Sequence, residues 1–279
     1  MTILLTYLLF SANLLGFDQN LKIDWQIFPP VEKKISRQIV ISAKSAIVIE
    51  ENSGMVVFEK NADQTLPIGS LTKIMTALVF LEKFPNFQNL SISVSKKATE
   101  VGGSKMYLLQ GEQITAINLL RGLFIGSAND AAFALAIFTS QEIEKFVEEM
   151  NRRSHFFGLQ KTSFQNPAGF DDPKNFSTAR EISFIARKIW QFDFIREIAK
   201  TKKITIFDNS KKFSHQIWAT NFLLGKYGVI GLKTGTTDEA GQCFVAVCET
   251  KNETFFIVIL GSEDRFLDAK TIIWAIENR

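Results

Sequence analysis

Strand-like runs stand near both ends of this chain, and helical patterns fill its middle. Near the start, Ala46 to Glu50 and Met55 to Glu59 flank residues 51–54, Glu-Asn-Ser-Gly, which is a hairpin signal. Three more strand-like runs close the chain: Val229 to Thr234, Gln242 to Glu249 and Thr254 to Leu260. A helix from about Leu267 to Glu277 follows them. This arrangement predicts an α/β fold of the α+β type, in which an antiparallel sheet assembled from the termini carries an inserted helical lobe.

The middle of the chain shows apolar residues at helical spacing. Ser70 to Phe84 is apolar nearly all round, as in a buried core helix, and Asp130 to Phe138 is a second such stretch. Thr139 to Glu142 has the spacing of a capping box before a third helix, for which Gly158 is the predicted stop. Thr178 to Glu181 repeats that box. The sequence therefore predicts several helices between the two groups of strands.

Composition narrows the function before any motif is considered. Of the 279 residues, 46% are apolar and 22% are charged, as in a folded globular protein. The net charge of +3 is spread along the chain without a basic block, which disfavours nucleic acid as a partner. The two histidines, His155 and His215, belong to no zinc-binding pattern, so we expect no metal site and no Ser-His-Asp triad. His215 is predicted to be a surface or loop residue.

The first forty residues differ in composition from the rest. Residues 3–16 form a mostly apolar run, about 21 Å long as a helix, without a preceding Lys or Arg and without a following A-x-A cleavage site. We therefore predict a signal peptide or an N-terminal membrane anchor over residues 1–17, with a buried first helix as the alternative. Residues 18–40, which contain Pro29-Pro30, are predicted to form a linker into one domain over residues 41–279.

The two cysteines, Cys243 and Cys248, lie five residues apart in a strand-like run. Because side chains alternate along a strand, the two thiols are predicted to point to opposite faces of the sheet. We expect two free thiols, and so cysteine usage does not identify the cellular compartment.

Three short motifs carry groups suited to chemistry on a carbonyl: Ser70-Leu71-Thr72-Lys73, Ser127-Ala128-Asn129 and Lys233-Thr234-Gly235. Ser70 opens a hydrophobic helix, and Lys73, one turn later, lies on the same face and can reach its hydroxyl. Burial and the positive charge of Lys233 both act to lower the pKa of the Lys73 amine, so that the amine can accept a proton. The helix N-terminus adds partial positive charge where an oxyanion would form.

The other two motifs supply groups that can hold a substrate. Ser127 and Asn129 lie between two helical stretches, where Ser127 can relay a proton to a leaving amine. Asn129 can hold a substrate amide and position Lys73. Lys233 and Thr234 end a strand and are expected to bind a substrate carboxylate. Gly235 lets another backbone approach closely.

In this order the motifs resemble those of the D-alanyl-D-alanine carboxypeptidases, the low-molecular-weight penicillin-binding proteins among the serine peptidases. The resemblance covers roughly residues 42–275. It also includes Ala46-Ile47-Val48-Ile49, Asn61-Ala62-Asp63, Leu66-Pro67-Ile68-Gly69, Gly103-Ser104-Lys105-Met106, Asn166-Pro167-Ala168-Gly169, Ser177-Thr178-Ala179-Arg180 and Gly231-Leu232. It implies that residues 41–279 are the catalytic domain, with helices on a five-stranded antiparallel sheet and an all-helical lobe.

The resemblance also implies a role for each motif residue. Ser70 becomes the acyl-enzyme nucleophile, Lys73 the proton acceptor and Ser127 the third catalytic residue. The implied substrate-binding residues are Asn129, Lys233, Thr234, Gly235, Thr236 and Arg265. Among them, the backbone amide of Thr236 joins that of Ser70 in an oxyanion hole. Arg265, expected in the loop before the last helix, helps to bind the terminal carboxylate of the substrate. No cofactor is implied.

The expected activity is removal of the terminal D-alanine from peptidoglycan stem peptides through an ester on Ser70. β-Lactam antibiotics are the expected covalent inhibitors. Because crosslinkable stem peptides lie beyond the membrane, we expect an exported protein, in the periplasm or on the outer face of the cytoplasmic membrane, with membrane association through the N-terminal segment.

Three other functions stay open at this stage. The chain ends soon after Trp274, without the C-terminal β domain of many members, and this ending also resembles the shorter DD-endopeptidases of the family. A β-lactamase needs a deacylating Glu after the second motif, and the nearest ones, Glu148, Glu149 and Glu181, fall in helical patterns. A catalytically silent penicillin-binding module is the third alternative, although its motif residues are intact.

Overall fold

The structure is a computed structural model, and it describes residues 39–250 and 253–279. The predicted signal peptide or anchor at residues 1–17 lies outside the described residues, as does nearly all of the predicted linker at residues 18–40. In the described part of the chain, none of the helices has the length and apolar character of a membrane span.

The described residues form short and long strands, interleaved with helices. The strands are β1 (Ser45–Glu50), β2 (Val56–Lys60), β3 (Leu66–Pro67), β4 (Ser91–Ser93), β5 (Gln113–Thr115), β6 (Phe176–Ser177), β7 (Lys203–Phe207), β8 (Ser214–Trp218), β9 (Val229–Thr237), β10 (Gly241–Glu249) and β11 (Thr254–Ser262). The helices are α1 (Thr72–Lys83), α2 (Lys96–Thr99), α3 (Ala116–Ile125), α4 (Asn129–Ser140), α5 (Ile143–Phe156), α6 (Ala179–Trp190), α7 (Asp193–Ala199) and α8 (Arg265–Glu277).

The main sheet is assembled from the two ends of the described chain. Its five strands follow the order β2-β1-β11-β10-β9, and all neighbours are antiparallel. Ala46 pairs with Ile259 across β1 and β11, and Lys233 pairs with Val245 across β9 and β10. The predicted five-stranded antiparallel sheet is therefore confirmed. Because β9 is an edge strand, its outer side is available to line a cleft.

The two faces of the sheet belong to two different cores. Val245 packs in the core shared with the helical lobe, whereas its neighbour Phe244 packs in the core under α8, with Ile272. Alternation along the strand produces this separation, and each large apolar side chain so buried contributes about 1.5–3 kcal/mol. Cys243 lies in the first core and Cys248 in the second, and both are free and buried. The prediction of two free thiols on opposite faces is confirmed.

Helix α1 runs through the middle of the helical lobe. All of its residues from Thr72 to Leu81 are buried, as predicted from an apolar pattern that continues nearly all round the helix. Helices α4, α5 and α6 all contact it. A single 3-10 turn, Gly69–Leu71, leads into α1 and carries Ser70. The lobe therefore holds the first motif at the buried start of its central helix.

The two predicted capping boxes have different outcomes. Thr178 caps α6, because its side chain accepts a hydrogen bond from the Glu181 amide. The box at Thr139 is wrong, because Thr139 still belongs to α4 and its hydroxyl donates to the Leu135 carbonyl. The chain turns instead at Gln141, which has a φ of +64°. Helix α5 then ends two residues before Gly158, the predicted stop.

A separate hairpin of β7 and β8, which the sequence analysis did not predict, packs beside α3. Along β8 the side chains alternate between solvent and the protein interior, so that His215 and Ile217 are buried. The prediction of His215 as a surface or loop residue is therefore wrong. The strand alternation that buries it is hidden in the sequence by exposed aromatic residues such as Phe213 and Trp218.

Candidate active site

The first motif places a serine hydroxyl against a buried amine. Lys73 Nζ lies 2.7 Å from Ser70 Oγ and donates to the Ala168 carbonyl oxygen at 2.6 Å. The Lys73 side chain is completely buried, whereas Ser70 is half-buried. The helical spacing predicted this contact, since Lys73 lies one turn after Ser70 on the same face. An amine that donates to Ala168 keeps a lone pair with which it can accept the Ser70 proton.

Electrostatics favours the neutral amine of Lys73. Burial lowers the pKa of Lys73 well below its ordinary value, and the charge of Lys233 lowers it further, while Asp130 opposes them. These are the two causes expected from the sequence. Burial also lowers the pKa of Lys233, to about 7, with the charge of Arg265 as the second cause. The site thus contains two buried amines that are easier to deprotonate than ordinary lysines.

The second motif turns sharply between α3 and α4. Ser127 has a φ of +57°, a left-handed conformation that costs a serine on the order of 1 kcal/mol. The Ala128 amide donates to the Gly122 carbonyl, which fastens the turn to the end of α3. Lys233 Nζ donates to Ser127 Oγ at 2.6 Å and to the Thr234 carbonyl at 2.8 Å. The second and third motifs therefore meet through a hydrogen bond between their side chains.

Asn129 is the first residue of α4 and is tied to the segment before it. Its side-chain amide donates to the Gly102 carbonyl at 2.7 Å, and its backbone amide donates to the Ser104 carbonyl at 2.7 Å. The hydrogen bonds of Lys73 go to Ser70 and Ala168 instead, so the predicted positioning of Lys73 by Asn129 is not found.

The third motif lies on the edge strand β9, directly against the turn that carries Ser70. A Cβ added to Gly235 would lie 3.0 Å from both the Ile68 carbonyl oxygen and the Ser70 amide nitrogen. The predicted close backbone approach at Gly235 is therefore confirmed. On the same side, a Cβ on Gly69 would lie 3.4 Å from the Thr236 amide nitrogen. The backbone amides of Ser70 and Thr236 thus belong to two segments in close contact.

Thr234 has a partner that the sequence analysis did not name. Its hydroxyl lies 2.6 Å from that of Thr220, in the segment after β8. The Thr220 amide donates to the Ile125 carbonyl at the end of α3. Thr220 therefore connects Thr234 of the third motif to the end of α3, just before the second motif.

Arg265 is the first residue of α8 and not part of the preceding loop. The helix starts there because the Asp264 side chain accepts hydrogen bonds from the Phe266 and Leu267 amides. The Arg265 guanidinium donates to the carbonyl oxygens of Gly235, at 2.5 Å, and Cys243, at 3.1 Å. The predicted loop position is therefore wrong, and the guanidinium is engaged by the backbone of β9 and β10.

The turn at Asn166-Pro167-Ala168-Gly169 is a part of the site to which the sequence analysis assigned no role. Asn166 Oδ1 accepts hydrogen bonds from the backbone amides of Ala168, Gly169 and Phe170. This holds the Ala168 carbonyl toward Lys73. Gly169 has a φ of +86°, and a Cβ there would lie 1.9 Å from the Gly69 carbonyl oxygen. The Asn-Pro-x-Gly pattern was the available signal, because it favours a tight turn.

A metal site would need a cluster of ligating side chains. Within residues 39–250 and 253–279, His, Cys, Asp and Glu side chains form no group of three or more that could hold a metal ion.

Comparison with known proteins identifies the family of this chain. The family model described as D-alanyl-D-alanine carboxypeptidase matches residues 32–264, and the chain belongs to that family. DacF, a D-alanyl-D-alanine carboxypeptidase of Bacillus subtilis, is 33% identical over 265 residues, which are 93% of this chain and 66% of the relative. A D-alanyl-D-alanine endopeptidase of Pseudomonas aeruginosa is 30% identical over 247 residues, 86% of this chain and 79% of the relative.

The fold also matches solved structures. The crystal structure of the Streptomyces K15 DD-transpeptidase superposes with a TM-score of 0.82 at 28% identity, over 87% of this chain and all of that one. Several curated relatives are longer than this chain, which spans 66% of the Bacillus subtilis relative and 63% of DacA of Haemophilus influenzae. The predicted fold class is confirmed.

Proposed function

We propose that this protein is a serine D-alanyl-D-alanine carboxypeptidase that removes the terminal D-alanine of peptidoglycan stem peptides. The observation that carries the proposal is the 2.7 Å contact between Ser70 Oγ and the buried amine of Lys73. Family membership supports the same reaction, since the matching model is described by this activity.

The proposed reaction begins with proton transfer. The neutral amine of Lys73 accepts the Ser70 hydroxyl proton as Oγ attacks the carbonyl carbon of the penultimate D-alanine. Electrons shift onto the carbonyl oxygen, and the backbone amides of Ser70 and Thr236 donate hydrogen bonds to that oxyanion. The carbonyl then re-forms, the C–N bond breaks, and the terminal D-alanine leaves after its nitrogen receives a proton through Ser127. Water hydrolyses the remaining ester on Ser70.

Binding of the substrate's terminal carboxylate falls to the third motif in this proposal. Lys233 Nζ and the Thr234 hydroxyl, which lie on the edge strand, supply a cation and a hydrogen-bond donor. A carboxylate beside Lys233 favours the charged form of an amine whose pKa is about 7. Asn129 is proposed to hold the peptide amide, with its own amide kept in place by Gly102.

The second candidate is a DD-endopeptidase, which cuts crosslinks between stem peptides. It is favoured by the relatives named endopeptidase, of which this chain covers 79% and 78% of the length. A β-lactamase receives less support, because Glu148 and Glu149 lie in α5, and Glu181, in α6, is bound to the Lys161 amide and the Thr162 hydroxyl. A silent penicillin-binding module does not account for the buried amine beside Ser70.

The cellular setting follows from the substrate. We propose that the protein is exported and acts in the periplasm, with residues 1–17 as a signal peptide, or on the outer face of the cytoplasmic membrane, with the same segment as an anchor. What supports this is the apolar run at residues 3–16 and the location of stem peptides outside the membrane. β-Lactams are proposed as covalent inhibitors that acylate Ser70.

The test compares the full chain with its Ser70→Ala variant, using Ser93→Ala as the matched control because Ser93 is an exposed serine of β4. Each protein is incubated with a fluorescent penicillin, with a pentapeptide ending in D-Ala-D-Ala and with crosslinked stem-peptide dimers. Mass spectrometry locates the label and identifies the peptide products. Labelling and D-alanine release that only Ser70→Ala abolishes are expected. Cleavage of the dimers without D-alanine release would replace the proposal by the endopeptidase, and absence of labelling would contradict both.

A further inference from the structure

A buried imidazole and carboxylate lie beside the second motif without belonging to any of the three motifs. His215 Nε2 is 2.7 Å from Glu112 Oε1, and His215 Nδ1 is 2.8 Å from the Met106 carbonyl oxygen. Only 6% of His215 and 4% of Glu112 are exposed. The reaction proposed above uses neither residue. A buried pair of this kind needs a reason, because burying charged groups is costly.

The geometry requires one proton more than a neutral histidine and a carboxylate together hold. Both ring nitrogens of His215 face oxygen atoms, and the Met106 carbonyl oxygen can only accept. Nδ1–H therefore donates to Met106. The contact between Nε2 and Glu112 then needs a second proton, carried either by the ring or by the carboxyl group. Glu112 cannot turn away freely, because its Oε2 accepts a hydrogen bond from the Leu109 amide.

The pair fastens the segment that approaches Asn129. We call residues 102–112 the strap. The Met106 and Leu108 amides of the strap donate to the two carboxylate oxygens of Asp130, each at 3.0 Å. Asp130 follows Asn129 directly, and Asn129 itself is held by two strap carbonyls. Met106 is thus held on both sides of its Cα: its backbone amide donates to Asp130, and its carbonyl oxygen contacts His215.

Strand β8, which supplies His215, also contacts the second motif from another side. A Cβ added to Gly126 would lie 2.7 Å from Ile217 Cγ2, and so Ile217 packs directly on the turn before Ser127. A shift of β8 relative to the strap therefore moves the surroundings of both Ser127 and Asn129.

The charged groups that act on His215 come from the strap and from α4. They are Glu112 and Asp130, both acidic. Burial alone lowers the pKa of His215, but the hydrogen bond and charge of Glu112 raise it above its ordinary value, and Asp130 acts in the same direction. Of these two groups, Asp130 also acts on Lys73, beside Lys233, whereas the charge that acts on Lys233 is Arg265.

We propose that His215 and Glu112 are positioning residues that hold the strap, and with it Asn129, through one shared proton, so that acylation of Ser70 slows when this proton is lost. The inference rests on the proposed function only in that acylation is its readout. Since the raised pKa belongs to the folded state, the interaction is complete at low pH and is lost as the pH rises through that value.

Two variants separate a shared proton from simple packing. In Glu112→Gln, the side-chain amide can donate to Nε2 of a neutral His215, while its oxygen accepts from the Leu109 amide, so that the contacts persist without the extra proton. In His215→Phe, a ring of similar shape cannot make either hydrogen bond. Both variants leave unchanged the charges that act on Lys73 and Lys233.

The experiment measures the second-order rate of Ser70 labelling by a fluorescent penicillin, in the full chain, from about pH 6 to about pH 10. The ratio of the wild-type rate to the Glu112→Gln rate cancels the titration of the two lysines, which both proteins share. We expect this ratio to be near one at the acidic end and to fall about tenfold at the alkaline end, the typical effect of losing a charge-assisted hydrogen bond. We expect His215→Phe to be slower than Glu112→Gln by a factor that does not vary with pH.

A second measurement follows the proton directly. Nuclear magnetic resonance of ring-labelled histidine is simple to assign, since the chain has only two histidines and His215→Phe removes one of them. We expect His215 to titrate at a higher pH in the wild type than in Glu112→Gln. Two results together would overturn this inference alone. They are a ratio of wild-type to Glu112→Gln labelling rates that does not vary with pH, and a His215 titration midpoint that is equal in the two proteins. No labelling of Ser70 in the wild type would overturn the proposed function, whereas the resonance measurement would still report on the pair.

Discussion

The two buried lysines of the site differ in their surroundings, and the difference indicates what each can do. Lys73, which we call the floor lysine, lies on α1, where it contacts the Ser70 hydroxyl and a backbone carbonyl. Lys233, which we call the wall lysine, lies on β9, where it contacts Ser127 and where burial lowers its pKa to about 7. The floor lysine is thus suited to accept a proton. The wall lysine can become charged when a carboxylate arrives.

Removing the floor amine should have the largest effect. In Lys73→Met, the proposed nucleophile Ser70 loses its proposed proton acceptor, and we expect penicillin labelling of Ser70 to slow by about a thousandfold. The free energy of unfolding should not fall, because an apolar side chain replaces a buried amine. Labelling kinetics and chemical denaturation measure the two quantities. Lys83→Met, at the exposed end of the same helix, is the matched control and should label at the wild-type rate.

The turn that holds Ala168 against Lys73 can be tested by adding one methyl group. Gly169 has a φ of +86°, and Gly169→Ala places a Cβ 1.9 Å from the Gly69 carbonyl oxygen. The backbone must therefore move at one of these two positions. We expect the free energy of unfolding to fall by about 3 kcal/mol. Gly102→Ala is the matched control, since a Cβ there meets nothing within 4 Å. Equal stability of the two variants in chemical denaturation would show that the turn is not packed as described.

The effect of removing the Lys233 amine should depend on whether the substrate carries a free terminal carboxylate. For Lys233→Met we expect about a hundredfold loss in kcat/KM for a peptide ending in D-Ala-D-Ala, mostly through KM. The same peptide with an amidated terminus should lose much less. Because the charge of Lys233 also lowers the pKa of Lys73, the acidic limb of the labelling rate should move to higher pH in this variant. An unchanged acidic limb would contradict the coupling between floor and wall.

The last prediction concerns how the free energy of unfolding depends on pH. Lys233, whose pKa is about 7 in the folded state, is protonated only in the unfolded chain between about pH 7 and the ordinary lysine value of about 10.4. The unfolded state then binds more protons, so the free energy of unfolding should rise with pH by about 1.4 kcal/mol per unit for each such lysine. Chemical denaturation across this range should show a smaller slope for Lys233→Met. The control Lys226→Met, at an exposed position, should keep the wild-type slope.

The positions of Lys73 and Lys233 were predictable from the sequence to a large extent, because helical spacing and strand patterns indicate the elements that carry them. Helical spacing brings Lys73 to Ser70, and strand patterns at both ends of the chain indicated the sheet that carries Lys233. The close approach at Gly235 followed from the absence of a side chain. These features depend on residues within a few positions of each other, or on a sheet that few arrangements can satisfy.

The parts that escaped prediction depend on contacts between distant segments. Ala168 accepts from Lys73 across 95 positions, and His215 reaches Glu112 across 103. Nothing in the local pattern of β8 marks His215 as buried, since exposed aromatic residues surround it in sequence. Arg265 was misplaced for a different reason, because the cap at Asp264 starts the last helix earlier than its apolar pattern does.

The central claim is that burial and the charge of Lys233 lower the pKa of Lys73 well below its ordinary value, so that its amine can act as the proposed base for Ser70. The most direct test is the titration of Lys73 followed by nuclear magnetic resonance of the full chain carrying carbon-13 at the lysine Cε, with the signal assigned by Lys73→Met. A midpoint well below the ordinary lysine value of about 10.4 is expected. Titration at the ordinary value, together with Ser70 labelling that survives in Lys73→Met, would contradict the account.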